Sequence, residues 1–241
     1  MMRLKRNMLY WIAVYAIVLS GFWGLCVLGN RVVTVMNQEE PYCERMCIII
    51  DAGHGGVDGG TTSCTGATES QLNLEIALRL NDLLHLVGID TKMIRTTDCS
   101  VYTSGETIAA KKVSDLKERV RIVQTTKNAI LVSIHQNFFV QSQYSGAQVF
   151  YGTHPDSQHL ARSLQQKLIA TLNPDSHRSI KKASGVYLME NVTSPAILIE
   201  CGFLSNPVEE AKLRSEEYQQ KLCCIFANSL SQFINSSAAI T

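Results

Sequence analysis

The chain has 241 residues, 46% of them hydrophobic and 18% charged, with a formal net charge of +1. That length allows one domain of ordinary size with a proper core. So small a net charge, with basic residues clustered only at Lys111-Lys112 and from His177 to Lys182, argues against nucleic acid as a partner and leaves those clusters as solvated surface.

Taken in chain order, the first feature is Met8–Leu28, an almost unbroken apolar stretch without a charged residue. It is long enough to cross a bilayer, which needs about 20 residues. Arg3, Lys5 and Arg6 precede it, so residues 1–7 form a cytoplasmic basic segment and everything after residue 28 faces the extracytoplasmic side. Val27-Leu28-Gly29 matches a cleavage site poorly, which favours a retained transmembrane anchor; a cleaved signal would leave the protein secreted. Residues 29–45, with Asn37, Gln38, Glu39, Glu40 and Pro41, have the composition of a tether, and residues 46–241 form the folded domain.

Within that domain strands and helices alternate. Strands are expected at Cys47–Asp51, Asp90–Arg95, Ala129–His135, Ala147–Tyr151 and Ala196–Glu200. Helices are expected at Glu69–Val87, with Leu72, Ile76, Leu80, Leu83, Leu84 and Val87 on one side and Gly88 as terminator, then at Leu116–Thr125, Gln158–Leu172 and in the closing segments from Pro207 to Phe233. This order is α/β: a single domain with a mixed, largely parallel sheet flanked by helices on both faces, preceded by one N-terminal transmembrane helix. Ligands of such sheets bind beyond the strand C-termini. The eight cysteines are irregularly spaced, so free buried thiols are expected at Cys47, Cys201 and Cys223-Cys224; Cys43 with Cys47 lacks the second pair that a four-ligand structural metal site needs.

Two histidines stand at strand ends, His54 after Ile-Ile-Ile-Asp-Ala-Gly and His135 after Leu-Val-Ser-Ile, and Glu69 opens the first helix. Two imidazoles and one carboxylate are a set that catalytic zinc takes while keeping a position open for water. Glu200 ends a nearly wholly apolar strand, where a carboxylate needs a partner and where desolvation raises its pKa toward the range useful for proton transfer. Each residue also has a structural reading. A lone histidine at a strand end is commonly a hydrogen-bonded scaffold residue, Glu69 could answer the helix dipole, and Glu200 could pair with Arg95 or Arg119. Asp51 and Asp58 read as strand-end and turn residues, and His85, His154, His159 and His177 as surface or structural ones.

Four motifs in order then make a resemblance specific: Ile-Ile-Ile-Asp-Ala-Gly-His-Gly-Gly-Val-Asp-Gly-Gly, Glu69 followed by Leu-Asn-Leu-Glu-Ile-Ala, Ser-Ile-His-Gln-Asn, and Leu-Ile-Glu-Cys-Gly-Phe-Leu-Ser-Asn-Pro. From Cys47 to about Phe233 the chain resembles the zinc-dependent N-acetylmuramoyl-L-alanine amidases of bacterial cell walls (the Amidase_3 family). The segments around Lys111, Tyr144 and Gly185 are similar to the germination-specific, CwlD type of spore formers. The resemblance implies that 46–241 is a catalytic domain that hydrolyses the amide between N-acetylmuramic acid and L-alanine in peptidoglycan. It further implies that His54, Glu69 and His135 hold Zn2+, that Glu200 is general base toward the attacking water and then acid toward the leaving amine, and that Asn137 donates to the substrate. It also implies a role in spore cortex maturation, through muramic δ-lactam formation needed for germination, with a lipoprotein activator as a partner. The expected location is the membrane, facing the cell wall or forespore intermembrane space. Ala52 stands where the family often has Pro, which alters turn rigidity and not ligation. A zinc peptidase acting on stem peptides, a non-catalytic cell-wall-binding protein and a degenerate amidase acting as a regulator are the alternatives.

Overall fold

The β-branched run at Ile48, Ile49 and Ile50 forms a strand whose side chains are all fully buried, alternating between two hydrophobic layers. A strand apolar on both faces must be covered on both, as in parallel α/β sheets. The computed structural model describes residues 45–238, together with Ser20. The segment 1–7, the rest of Met8–Leu28 and the tether up to residue 44 lie outside the described residues. Among the described residues no helix is long and apolar enough to cross a membrane.

Six strands form one sheet: β1 (Cys47–Ala52), β2 (Thr91–Met93), β3 (Ala129–Asn137), β4 (Gln148–Tyr151), β5 (Lys181–Lys182) and β6 (Ala196–Phe203). Their order is β2-β1-β3-β6-β4-β5. The β2-β1, β1-β3 and β3-β6 pairs are parallel, and β4 runs antiparallel to β6, so the sheet is mixed and largely parallel as expected. One face packs against α1 (Glu69–Leu86), α3 (Pro155–Leu172) and α6 (Glu216–Ala238), through residues such as Ile76, Leu80, Leu160, Leu164 and Phe226. The other face packs against α2 (Ile108–Gln124) and the short α4 (Tyr187–Asn191), through Val120, Val123, Leu188 and Met189. The remaining helix, α5 (Pro207–Leu213), follows β6.

The boundaries differ from the expected ones for local reasons. Helix α2 starts eight residues earlier than the pattern beginning at Leu116, because Thr107 caps it by accepting from the Ala110 N–H (3.2 Å). Ile108 and Val113 in its first turns face solvent and blur the apolar stripe. Helix α3 starts at Pro155, not Gln158, with the His154 ring accepting from Asp156 N–H (3.2 Å) and proline at N1. Val87 caps α1 and is exposed instead of lining its apolar side. β2 is shorter than Asp90–Arg95, while β3 and β6 run on past His135 and Glu200, which therefore lie inside their strands. Cys201 and Cys223 are free and buried as expected; Cys224 is free but exposed, and Cys47 is half-buried.

Leu80, fully buried on α1, should cost about 2–5 kcal/mol on truncation to alanine. Leu86, 82% exposed at the end of the same helix, should cost less than about 0.5 kcal/mol. Urea unfolding of Leu80→Ala beside Leu86→Ala checks the layer assignment, and equal losses would contradict it.

Candidate active site

Parallel pairing brings the candidate residues to one sheet edge. His54 lies in the turn two residues beyond β1, His135 lies near the end of β3, and Glu200 is its direct partner on β6. Paired residues project to the same face of a sheet. Glu69, at the first turn of α1, reaches the same point from the side. His54 Nε2 is 3.2 Å and His135 Nδ1 3.1 Å from Glu69 Oε1, and the two rings meet edge to face with centroids 5.0 Å apart. One donor atom from each of the three residues lies within 4.8 Å of the other two.

The buried Glu69 carboxylate is held from behind. Its Oε2 accepts from Thr61 N–H (3.1 Å) and Thr61 Oγ1 (3.2 Å), and its Oε1 accepts from Gln136 N–H (3.2 Å). Burial opposes its charge, but His135 and His54 outweigh burial and hold the carboxyl well below the usual range. Two imidazoles and a carboxylate, all N or O donors converging on one point, fit zinc.

Two glycines make room for this packing. A Cβ on Gly53 would lie 2.3 Å from the His135 ring, and one on Gly60, at φ +66°, would lie 2.6 Å from Glu69 Oε2. His54 itself has φ +62°, a left-handed conformation that a side chain other than glycine seldom adopts. Two buried arginines hold that turn by its carbonyls. Arg95 donates to Ala52 O (2.8 Å), Gly53 O (3.0 Å) and Ser70 O (2.8 Å); Arg119 donates to Ala52 O (3.1 Å) and His54 O (2.8 Å). Arg119 is ion-paired with Asp51 and with Asp115 (2.6 Å), and Ser133 Oγ donates to Asp51 (2.6 Å). Strain at the His54 turn is thus balanced by a network beneath it.

Glu200 has none of these partners. Both arginines suggested for it are committed elsewhere, and its Oε2 is buried without a hydrogen bond. Burial pushes its carboxyl up to about 7; His135 opposes the rise and Glu69 adds to it. Glu200, His54 and His135 line one cleft of about 260 Å³, together with the apolar Val186, Leu188 and Leu198. A carboxyl that titrates near neutrality, unpaired in a cleft beside three metal-type donors, is equipped to take and return a proton.

The structure brings His54, Glu69, His135 and Glu200 together. Asn137 lies at the β3 bulge past His135, gives its backbone carbonyl to Leu204 N–H (2.8 Å) and does not line that cleft. Sequence reasoning missed Asp58 and Lys112. Asp58 closes the turn through Gly55 (2.8 Å), and its Oδ2 also lies 3.1 Å from His54 Nδ1 and 3.0 Å from Lys112 Nζ. Lys112 is therefore an ion-paired rim residue, not merely solvated surface. Thr61 carried no signal, since a threonine in a polar loop resembles any other.

Among known proteins, residues 48–232 match the family model Amidase_3, described as N-acetylmuramoyl-L-alanine amidase. The germination-specific N-acetylmuramoyl-L-alanine amidase of Bacillus subtilis (strain 168) is 37% identical over 177 residues, which are 73% of this chain and 74% of that protein. The CwlD amidase from Clostridioides difficile, solved in complex with the GerS lipoprotein, superposes with a TM-score of 0.76 at 34% identity, covering 80% of this chain and all of that one. The catalytic domain of CwlV from Bacillus (Paenibacillus) polymyxa gives a TM-score of 0.65 at 27% identity over 79% of this chain and 98% of that chain.

Removing Arg119 by Arg119→Met should cost about 3–5 kcal/mol at neutral pH, because Asp51 is left charged and buried. In the intact protein burial works against the Asp51 charge, but Arg119 and Ser133 hold its carboxyl below the usual value. That stability is present above the unfolded carboxylate pKa of about 3.9 and is lost as pH falls. In the variant Asp51 accepts a proton readily, so the gap between the two proteins should narrow from pH 7 to pH 4 in urea unfolding. A gap independent of pH would contradict the pairing.

Proposed function

The chain belongs to the Amidase_3 family and is an N-acetylmuramoyl-L-alanine amidase acting on peptidoglycan; from that premise we propose that His54, Glu69 and His135 hold its zinc ion and that Glu200 moves the protons. The observation that carries this is the convergence of one donor from each of three residues within 4.8 Å, beside Glu200, whose Oε2 is buried without a hydrogen bond. Zinc bound there supplies a lowered water pKa, near about 7, and polarisation of the amide carbonyl. Glu200 takes a proton from the attacking water and delivers it to the nitrogen of L-alanine as the amide bond breaks. The freed products are a muramoyl carboxylate and a peptide with a new amino terminus. Asp58 Oδ2 lies 3.1 Å from His54 Nδ1 on the ring edge away from Glu69, and Thr61 holds the Glu69 carboxylate by hydrogen bonds.

The same reading extends to the cell. Identity to the germination-specific amidase of Bacillus subtilis supports a role in cortex maturation before germination. The Clostridioides difficile relative, solved with its lipoprotein, supports a lipoprotein partner here. The apolar stretch Met8–Leu28 with its preceding basic residues supports a membrane anchor and an extracytoplasmic catalytic domain.

Digestion of purified peptidoglycan, with and without added zinc, followed by mass spectrometry tests bond and metal together: a freed muramoyl carboxyl is expected, and a cut between two amino acids would point to a peptidase. His54→Ala and His135→Ala should each lose zinc, and unchanged zinc content would remove them as ligands. Glu200→Gln should keep zinc and lose roughly two to four orders of magnitude of turnover. Near-normal turnover with zinc intact would exclude Glu200 as the proton carrier.

A further inference from the structure

The sheet carries a second polar site next to the first. Gln148 on β4 is the direct partner of Glu200 across the β4-β6 pair, so its side chain stands on the same face, one strand further from the zinc-type donors. Beyond it opens a cavity of about 690 Å³, bounded by the loop before β4 and by the segment between α3 and β5. Arg178 lines this cavity, half-buried and fixed from three sides. Its Nε donates to Ser145 O (2.7 Å), its Nη1 donates to Gln148 Oε1 (3.0 Å), and its guanidinium lies 4.6 Å from the centroid of the Phe203 ring. Gln148 is itself fixed, its Nε2 donating to Ser179 O (2.8 Å).

A half-buried arginine usually has a carboxylate partner, since desolvating the cation is costly. Among the described residues Arg178 has no salt bridge, and its Nη2 makes no hydrogen bond. Glu209, whose charge reaches it, directs its two oxygens elsewhere, to Gly146 N–H (2.8 Å) and Phe203 N–H (2.9 Å). Asp175 and Lys181 also line the cavity, one charge of each sign, so they leave the local balance to Arg178. The result is an oriented guanidinium fork at a cavity that Gln148, the cross-strand partner of Glu200, also lines. Such a fork matches a carboxylate bidentately.

We propose that Arg178, held by Gln148 and Phe203, is the subsite for a stem-peptide carboxylate of the substrate, namely the α-carboxylate of the glutamate that follows L-alanine. The assignment rests on the amidase reading with Glu200 at the scissile bond. Its span is consistent with that placement. One strand spacing, about 4.8 Å, separates Glu200 from Gln148, and Arg178 lies at the far end of the Gln148 side chain. An extended peptide covers about 3.5 Å per residue, so a stem running along this direction passes the strand spacing within two residues and comes to the Gln148–Arg178 side of Glu200. The carboxylate would supply the directly paired anion that Glu209, engaged by Gly146 and Phe203, does not. It would also fix the peptide's direction, drawing the amide nitrogen toward Glu200.

The test uses the zinc-loaded full chain and two preparations of glycan strands, one with glutamate and one with isoglutamine at the second stem position, which differ only in the charge of that carboxyl group. The native enzyme should cleave the glutamate strands with kcat/KM about 10- to 100-fold higher, the range of a charge-assisted hydrogen bond pair. Arg178→Gln should erase that preference by losing activity on the glutamate strands, and Arg178→Lys should restore part of it. A native enzyme indifferent to amidation overturns the subsite whatever the variants do. So does a variant that retains the preference, or one that loses both activities in proportion while melting normally. A native enzyme that cleaves neither preparation, zinc present, overturns the amidase reading and this one with it.

Discussion

The register of three parallel strands is the constraint on which everything else depends. Cys47 to Ala52 pairs with Ala129 to Ile134, and Leu131 to Glu200's partner His135 pairs with β6, without slippage until the bulge beyond His135. A shift of one residue in either pairing would turn the polar end of that strand to the opposite face. Both faces of β1 are packed, Ile48 and Ile50 into one layer and Ile49 into the other, so its side chains must fit two close-packed layers at once. The chemistry at the strand ends is therefore specified by the hydrophobic pattern well below it.

Charge is distributed unevenly across this edge, and the unevenness sorts the roles. Glu69 is surrounded by donors and stays ionised, as suits a ligand. Asp51, equally buried, is neutralised by Arg119 and serves the scaffold. Glu200 is left without a partner and is the carboxylate whose affinity for protons rises into the physiological range. Three acidic groups on one small surface thus differ in their hold on a proton through their neighbours alone, which is the general way one fold separates acid, base and structural carboxylates.

Much of this was legible beforehand. The alternation of strands and helices gave the mixed sheet with helices on both faces, and the placement of His54, Glu69, His135 and Glu200 at strand or helix ends gave their convergence. What local sequence does not carry is what depends on distant pairing. Arg95 and Arg119 could be suspected as partners of Glu200, yet they clamp the carbonyls of residues 52 to 54, because no local pattern says which acceptor a long side chain reaches. Lys112 was masked by a helix start that solvent-facing Ile108 and Val113 disguised. The two-residue β5 and five-residue α4 are too short for any periodicity to show.

The outermost strands have a bearing on solubility. β2 spans three residues and β5 two, and each carries lysine, Lys92 on one margin and Lys181 with Lys182 on the other. A sheet margin with few unpaired backbone groups and with ammonium side chains along it is a poor template for a further strand. Wherever many copies crowd against an insoluble polymer, edge-to-edge aggregation is disfavoured by both length and charge. The protection lies at the ends of the sheet, away from its catalytic middle, so neither requirement constrains the other.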